Sequence, residues 1–386
     1  MPAIVRTATP ADVEAILDLL TEYDLPRAYF EPWYRADPTY RPEHSWVVEV
    51  DGRLAAHLRI FDRFVRLHGT VARVAGIGNV ITARAFRGQG FAGRLLRATI
   101  DDAADFVYSL LWTHLPDLYQ RYGWASIDQQ NIQARLPDPA PALDLESGNV
   151  DSFRTEDLPD VMRLYDAANA TRTGPIVRTS AYWTAQSAWL SETADDFLVS
   201  RTRAGSLVAY VRSKSRSDRV EVLELGVLPR DVDLGRSLVA ALAARRHSNV
   251  WAQLPPSLDE VIPKAARCGA EQAGLMGRVL DVRGLFRQLE PVLLQRLRAA
   301  SSTGGRLSLS SSAGSAQLAL TETDLIVHTT TTPDPRASLN EGELAHLLFH
   351  GYDAAAAERF HGRENAPLLE TLFPAQDFVI WPADAF

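Results

Sequence analysis

The sequence predicts an α/β (α+β) chain of three units: two similar mixed-sheet domains in tandem, then a smaller α+β domain. Three observations carry this. At 386 residues the chain exceeds one ordinary core. One order of elements, a capped helix, a hairpin, a long strand and a second helix, occurs twice. The remainder has another order: a helix, three strands and further helices.

The first unit spans residues 1–138. Thr9-Pro10-Ala11-Asp12 opens a helix with a cap residue and a proline at its first position, and Val13, Ile16, Leu19 and Leu20 follow helical spacing. Residues 46–50, the Asp51-Gly52 turn and residues 53–65 read as a hairpin. A long strand over 71–82 leads through the turn Arg87-Gly88-Gln89-Gly90-Phe91-Ala92 into a helix over 91–106. Residues 107–111 read as a buried strand, 116–122 as a short helix stopped by Gly123, and 131–136 as the last strand of this unit.

The proline spacing of 136–143 marks a linker. The second unit, 139–275, repeats the pattern in weaker form: a capped helix from Thr155, a hairpin of 197–200 and 207–211, a strand over 220–229 and a helix over 234–246. Its turn carries Asp231 and Asp233, which would repel a pyrophosphate, so this copy reads as catalytically silent. The third unit, 276–386, holds a helix over 288–299, strands over 306–310, 316–320 and 325–330, helices over 340–349, 354–360 and 368–373, and the apolar tail Phe378-Val379-Ile380-Trp381.

Bulk properties narrow the function. A hydrophobic content of 46% and a charged content of 23% belong to a soluble globular protein. The net charge of -8 argues against nucleic acid as a partner and favours cationic substrates. The single cysteine, Cys268, excludes a disulfide framework and a cysteine zinc site, and reads as buried. No His/Cys/Asp/Glu cluster has metal-ligand spacing, so no metal is expected. The start, Met1-Pro2-Ala3-Ile4-Val5-Arg6, lacks a secretory apolar region and no run is long enough to span a membrane, which points to the cytoplasm and to no membrane partner.

The turn at 87–92 carries the chemistry. Gly88 and Gly90 remove Cβ atoms where the backbone must come close to something. The free N–H groups of the helix start, the helix dipole and Arg87 together suit an anion, and a pyrophosphate is the natural guest. A P-loop would need Gly-Lys-Ser/Thr, which is missing. Gly88, Gly90 and Gly93 satisfy the G-x-G-x-x-G pattern of dinucleotide folds, but the preceding strand is not the first of the chain, and no acidic residue ends the following strand.

Arg87-x-x-Gly90-x-Ala92 after Val80-Ile81-Thr82 resembles the acetyl-CoA motif of the GCN5-related N-acetyltransferases. Residues 4–12 resemble the opening strand and helix start of that superfamily, and Leu118-Tyr119-Gln120-Arg121-Tyr122-Gly123-Trp124 resembles its Phe-Tyr-x-x-x-Gly-Phe signature. The third unit resembles a sterol-carrier-protein-like domain. With a degenerate copy between them, the whole chain resembles the enhanced intracellular survival (Eis) family of bacterial N-acetyltransferases. The resemblance implies acetyl-CoA as cosubstrate, a cationic small-molecule amine such as an aminoglycoside or polyamine as acceptor, and a homo-hexamer. With no cysteine in the first unit, direct transfer is expected. The alternatives are a lipid carrier with a vestigial acetyltransferase domain, and a protein-lysine acetyltransferase.

Each step of acyl transfer has candidates. Backbone groups of Val80, Ile81 and Thr82 would pair with pantetheine, and those of Gly88, Gln89, Gly90, Phe91, Ala92 and Gly93 would take the pyrophosphate beside Arg87. Residues 76–80, marked by Gly76 and Gly78, are where a bulge or close approach is expected, with no single oxyanion donor assigned. By resemblance Tyr119 is the general acid; a phenol pKa of about 10 keeps it protonated at neutral pH. Tyr122 fits aromatic packing instead. The strand 71–82 holds no acidic residue to act as base. The Eis family uses the α-carboxylate of a terminal phenylalanine, here Phe386, with Asp384 as the rival carboxylate. Asp24, Glu31 and Trp33 lie where the superfamily binds acceptors, although a solvated loop explains them equally well. His114 is either a cofactor contact or a structural histidine.

Overall fold

A computed structural model describes residues 3–136, 150–190, 192–193, 195–247, 249–302, 304–321, 323–330 and 338–386. Beyond Leu136 the expected linker lies outside the described residues. The first stretch contains β1 (Ile4–Thr7), α1 (Val13–Leu20), α2 (Arg27–Arg35), β2 (Ser45–Val50), β3 (Arg53–Leu67), β4 (Thr70–Thr82), α3 (Phe91–Asp102), β5 (Tyr108–Trp112), α4 (Pro116–Gln120), β6 (Ala125–Ser126) and β7 (Gln130–Arg135). The second contains β8 (Val150–Ser152), α5 (Leu158–Asn169), α6 (Ser180–Leu190), β9 (Phe197–Arg201), β10 (Leu207–Ser215), β11 (Val220–Gly226), α7 (Val232–Arg245), β12 (Asn249–Ala252) and β13 (Arg267–Gln272). The third contains β14 (Leu275–Val279), α8 (Val282–Ala299), β15 (Gly305–Ser311), β16 (Gly314–Leu320), β17 (Leu325–Thr330), β18 (Ser338–Asn340), α9 (Glu341–Phe349), α10 (Ala354–Arg359) and α11 (Ala366–Leu372).

Two seven-stranded mixed sheets and one four-stranded sheet result, as the predicted fold class requires. The first sheet runs β1-β2-β3-β4-β5-β14-β6, the second β8-β9-β10-β11-β12-β7-β13, and the third β17-β16-β15-β18. The first two orders correspond place by place, including one parallel pair at β4·β5 and one at β11·β12.

The sixth places are exchanged between the sheets. Residues 131–136, expected as the last strand of the first unit, pair as β7 with β12 and β13 of the second sheet. The vacated place beside β5 is filled by β14. The reason is burial. β14, Leu-Met-Gly-Arg-Val, is buried along its whole length between the first sheet and the third unit, whereas β7 carries Gln130, Asn131, Gln133 and Arg135 and stays half exposed. Putting those polar groups in the covered place would leave them without water.

Two smaller expectations also change. The helix expected over 91–106 stops at Asp102, with Ala103 as its C-cap. Cys268, expected to be buried, is exposed. It lies at a register shift between Arg267 and Gly269 of β13, the edge strand of the second sheet.

The three units share buried surface. Leu285, Phe286, Leu289, Leu293 and Leu297 of α8 form one apolar core with the third sheet and with Val65, Leu67, Ala72 and Val74 of the β3–β4 hairpin. At the hairpin end His68 is buried, Nε2 2.9 Å from the Leu347 carbonyl and Nδ1 3.1 Å from Arg296 Nη1. Burial, then the neighbouring Arg296 charge, pushes the His68 pKa down to about 3. The neutral ring therefore donates from Nε2 and accepts at Nδ1.

The tail crosses between the first and second units. Val379 N–H donates to the Thr173 carbonyl at 3.0 Å, Ile380 N–H to Gln129 Oε1 at 3.0 Å, and the Trp381 indole to Asn169 Oδ1 at 3.2 Å. Val379 and Trp381 are buried in the second core, and Phe386 packs against the core the third unit shares with the first sheet.

Candidate active site

The site begins where two parallel strands part. β4 and β5 pair over three residues, Val74 with Tyr108, Ala75 with Ser109 and Gly76 with Leu110. Beyond Gly76, β4 continues to Thr82 alongside β3 only, so one edge of Val80, Ile81 and Thr82 lacks a strand partner among the described residues. A bulge stands in this stretch, as expected. Arg59 pairs with Gly78 and His57 with Ile81, with Asn79 at φ 52° between. The Asn79 carbonyl is 3.0 Å from Nδ1 of buried His57, whose pKa burial pushes down to about 3, so that ring is neutral and donates. The Tyr23 hydroxyl donates to the Val80 carbonyl at 2.7 Å.

Phe386 lies on the bare face of β4. A Cβ at Gly76 would collide with the Phe386 ring, and one at Gly78 would stand 2.8 Å from the Phe61 ring and 2.9 Å from the Phe386 backbone carbonyl carbon. These glycines make room for the end of the described chain. The ring is stacked on Phe61 at 5.5 Å between centroids and meets Trp112 edge-on at 4.8 Å. Phe61 in turn touches Trp33, which stacks on Trp189 of α6 at 4.4 Å. Sequence reasoning missed Phe61, Trp112 and Trp189; they look like ordinary core residues in an alternating pattern. The glycine pair was the available signal.

Beneath Phe61 lies a buried ionic cluster. Asp37 accepts from Arg59 at 2.6 Å and from Arg63 at 2.8 Å. The Arg59 guanidinium lies 4.0 Å from the centre of the Phe61 ring. Burial alone would raise the Asp37 pKa, but Arg63 and Arg59 outweigh it and bring it down to about 2. The carboxylate is thus ionised.

Asp384 does not compete with Phe386. It is buried, and accepts from Arg178 Nε at 2.9 Å, Arg178 Nη2 at 2.7 Å, Gln186 Nε2 at 3.1 Å and the Tyr182 hydroxyl at 3.2 Å. A carboxylate held by this many donors is structural. Burial works against the Arg178 charge, but Asp384 and Glu224 keep it fully charged.

Tyr119 is 8% exposed, in α4, the helix that follows the loop leaving β5. Burial pushes its pKa up to about 12, so it keeps its proton at neutral pH. Its helix ends in a glycine cap: Trp124 N–H donates to the Tyr119 carbonyl at 3.2 Å, Gly123 N–H to the Gln120 carbonyl at 3.0 Å, and Gly123 has φ 89°. Tyr122 packs, as expected; a Cβ at Gly93 would collide with its hydroxyl. The third glycine of the motif therefore lets α3 approach α4.

The anion turn has the required form. Gly88 and Gly90 have φ of 80° and 75°, conformations that favour glycine. The first helical bond of α3 runs from Arg94 N–H to the Gly90 carbonyl, which leaves the N–H groups of Phe91, Ala92 and Gly93 free of helical partners. Exposed Arg87 reaches back to the Thr82 carbonyl at 3.3 Å. Gln89 and His114 are exposed.

The expected acceptor residues separate. Trp33 joins the aromatic wall beside Phe386. Asp24 pairs with Arg84 at 2.6 Å and Glu31 with Arg35 at 2.7 Å, both on the surface. Among the described residues no group of three or more His, Cys, Asp and Glu is placed to hold a metal ion, and no helix is long and apolar enough to cross a membrane.

This geometry has known counterparts. Residues 4–127 match the family model of the acetyltransferase (GNAT) domain. The first unit is therefore an acetyltransferase (GNAT) domain. Over its whole length it folds like Eis1 from Mycobacterium abscessus, with 16% identity, TM-score 0.68 and 100% of each chain covered. Similar likenesses join it to a GCN5-related N-acetyltransferase from Anabaena variabilis (15% identity, TM-score 0.72, 100% of both chains). A probable N-acyltransferase from Enterococcus faecalis is also alike (16%, TM-score 0.74, 97% of both). At these identities the likeness is one of fold, and the architecture is Eis-like. No protein of curated function matches the sequence.

Proposed function

We propose that this chain transfers acetyl from acetyl-CoA directly to a primary amine of a cationic small molecule, aminoglycoside- or polyamine-like. The observation that carries the reading is the position of Phe386, with its backbone carbonyl carbon against Gly78 where β4 and β5 part. The chain offers what the cosubstrate needs: the edge without a strand partner at Val80, Ile81 and Thr82 for the pantetheine amides, and the free N–H groups at 91–93 with Gly88, Gln89, Gly90 and Arg87 for the pyrophosphate. Acetyl-CoA supplies the thioester whose acyl carbon the amine attacks and whose thiolate leaves.

The residues divide the work. The Phe386 carboxylate attracts and orients the ammonium group and receives its proton directly or through a water; at a pKa near 3.5 it is a weak base, so orientation is its larger part. Phe61, Trp112 and Trp33 give the cation aromatic surroundings. Tyr119 gives its hydroxyl proton to the departing thiolate. Asp24 and Glu31, each engaged by an arginine, act only on the potential at the mouth. His114, exposed just after β5, is free to touch the cofactor. We take 1–138, 139–275 and 276–386 as the units, with β7 standing in the second sheet and β14 in the first, in a cytoplasmic homo-hexamer that light scattering would test.

The deciding assay is CoA-thiol release from acetyl-CoA with aminoglycosides, polyamines and lysine peptides, run beside a variant lacking Phe386. Turnover with cationic small amines that collapses in the folded truncated variant is expected. Turnover on peptides alone would move the acceptor to protein lysine, and no turnover with any amine would overturn the reading.

A further inference from the structure

The second sheet has a cleft that matches the active one, and the chain's own tail closes it. β11 and β12 pair over three residues, 220–222 with 250–252, and then part, as β4 and β5 do. This register sets Val222 and Glu224 at the places of Gly76 and Gly78. The neighbouring strands agree: Arg59 pairs with Gly78, and Arg212 with Glu224. In the first sheet these two places face Phe386. In the second, Glu224 pairs with Arg178 Nη2, and the same nitrogen, with Nε beside it, holds Asp384. A cavity of about 190 Å³ remains where β11 and β12 part, and Pro382 lines it with Val222, Ala252 and Gln253.

Asp384 is the last residue before Phe386 with a side-chain anchor, and the grip on it is completed by Gln186, which also donates to the Ala383 carbonyl at 2.8 Å. Two residues of chain span at most about 7 Å, so a shift at Asp384 passes to Phe386 with little loss. We propose that Arg178 is a positioning residue: by gripping Asp384 in the silent cleft it fixes Phe386 on β4, and the second unit serves as the clamp of the acyl-transfer site. The catalytic consequence rests on the reading of Phe386 given above.

The test uses the full chain with Arg178→Met, Arg178→Lys and the milder Gln186→Leu. Hydrogen exchange at the Asp384 and Ala385 amides, bonded to the Trp381 and Pro382 carbonyls, reads the clamp without reference to activity. In Arg178→Met these amides should exchange about a hundredfold faster, in proportion to the opened population, while α3 amides keep their rates. In turn kcat should fall about tenfold or more with the KM for acetyl-CoA unchanged, and Arg178→Lys should recover part of both. If Arg178→Met does not fold, Gln186→Leu carries the test with the same signs. Tail amides that exchange at the wild-type rate in either folded variant would overturn the clamp. Loosened amides with undiminished kcat, in a protein that also tolerates loss of Phe386, would uphold the clamp and remove the chemistry assigned to Phe386.

Discussion

Gly76 and Gly78 show how a residue choice sets a site. Gly76 leaves out a side chain whose space the Phe386 ring takes, and Gly78 one whose space Phe61 and the Phe386 backbone share. Gly76→Ala should displace the ring, cost about 1–3 kcal/mol of stability through overpacking, and lower kcat about a hundredfold. Denaturant melts and steady-state kinetics would separate the two effects. At Tyr119 the prediction concerns a proton. Tyr119→Phe should lower kcat by about 10²–10⁴ while acetyl-CoA still binds, measured by calorimetry and turnover. Because burial raises the Tyr119 pKa to about 12, its proton stays in place as pH rises through 10. A pH–rate profile should show no loss from this group between pH 7 and 10. The raised pKa also favours the folded state below the unfolded value of about 10, a contribution lost as pH climbs from there to about 12.

Among elements, the β3–β4 pair does most to join the parts. Its middle carries Arg59 and Arg63, which share Asp37 from the loop after α2. Asp37→Asn leaves two buried guanidinium groups without a counter-charge and should cost about 3–5 kcal/mol, read by urea unfolding. The hairpin end carries His68 into the third unit. His68 and His57 both have pKa values pushed from 6.5 to about 3 by burial. The neutral folded forms stabilise the protein above pH 6.5, and this contribution is lost as pH falls from 6.5 toward 3, where the unfolded chain takes up the protons. Urea midpoints should decline over that range, with a shallower slope in a folded His68→Gln variant. Much of this level was legible beforehand, because a helix announces itself through spacing and caps, as Val13, Ile16, Leu19 and Leu20 do after Thr9. The bulge at Asn79 could be expected from Gly76 and Gly78 just before it. Phe61, Trp112 and Trp189 could not be singled out, since an aromatic residue in a core and one in a site wall obey the same alternation.

For the whole molecule, the sheets resist division by sequence position. The duplication is visible in the order of elements, but the exchange of β7 and β14 is not, because strand pairing across more than a hundred residues leaves no local pattern. Only the polar makeup of 130–135 against the apolar Leu275 and Met276 hints at which strand takes the covered place. The grip of Arg178 on Asp384 was equally hidden, since 206 positions separate the two. A fragment of residues 1–136 lacks β14 and the buried face of the third unit. It should fail to fold, with heteronuclear NMR spectra lacking dispersion, whereas the full chain should unfold in one transition by calorimetry and circular dichroism alike.

The exchange also bears on how the protein is made. Residues 4–135 leave the ribosome with one strand too many and one place unfilled, and the filling strand is encoded only at 275–279. At about 5–20 residues per second, the nascent first sheet waits roughly 7–28 s with an open apolar seam beside β5. Over that interval its fate depends on what the cell places against the seam, and a slow codon run between the two strands would lengthen the exposure.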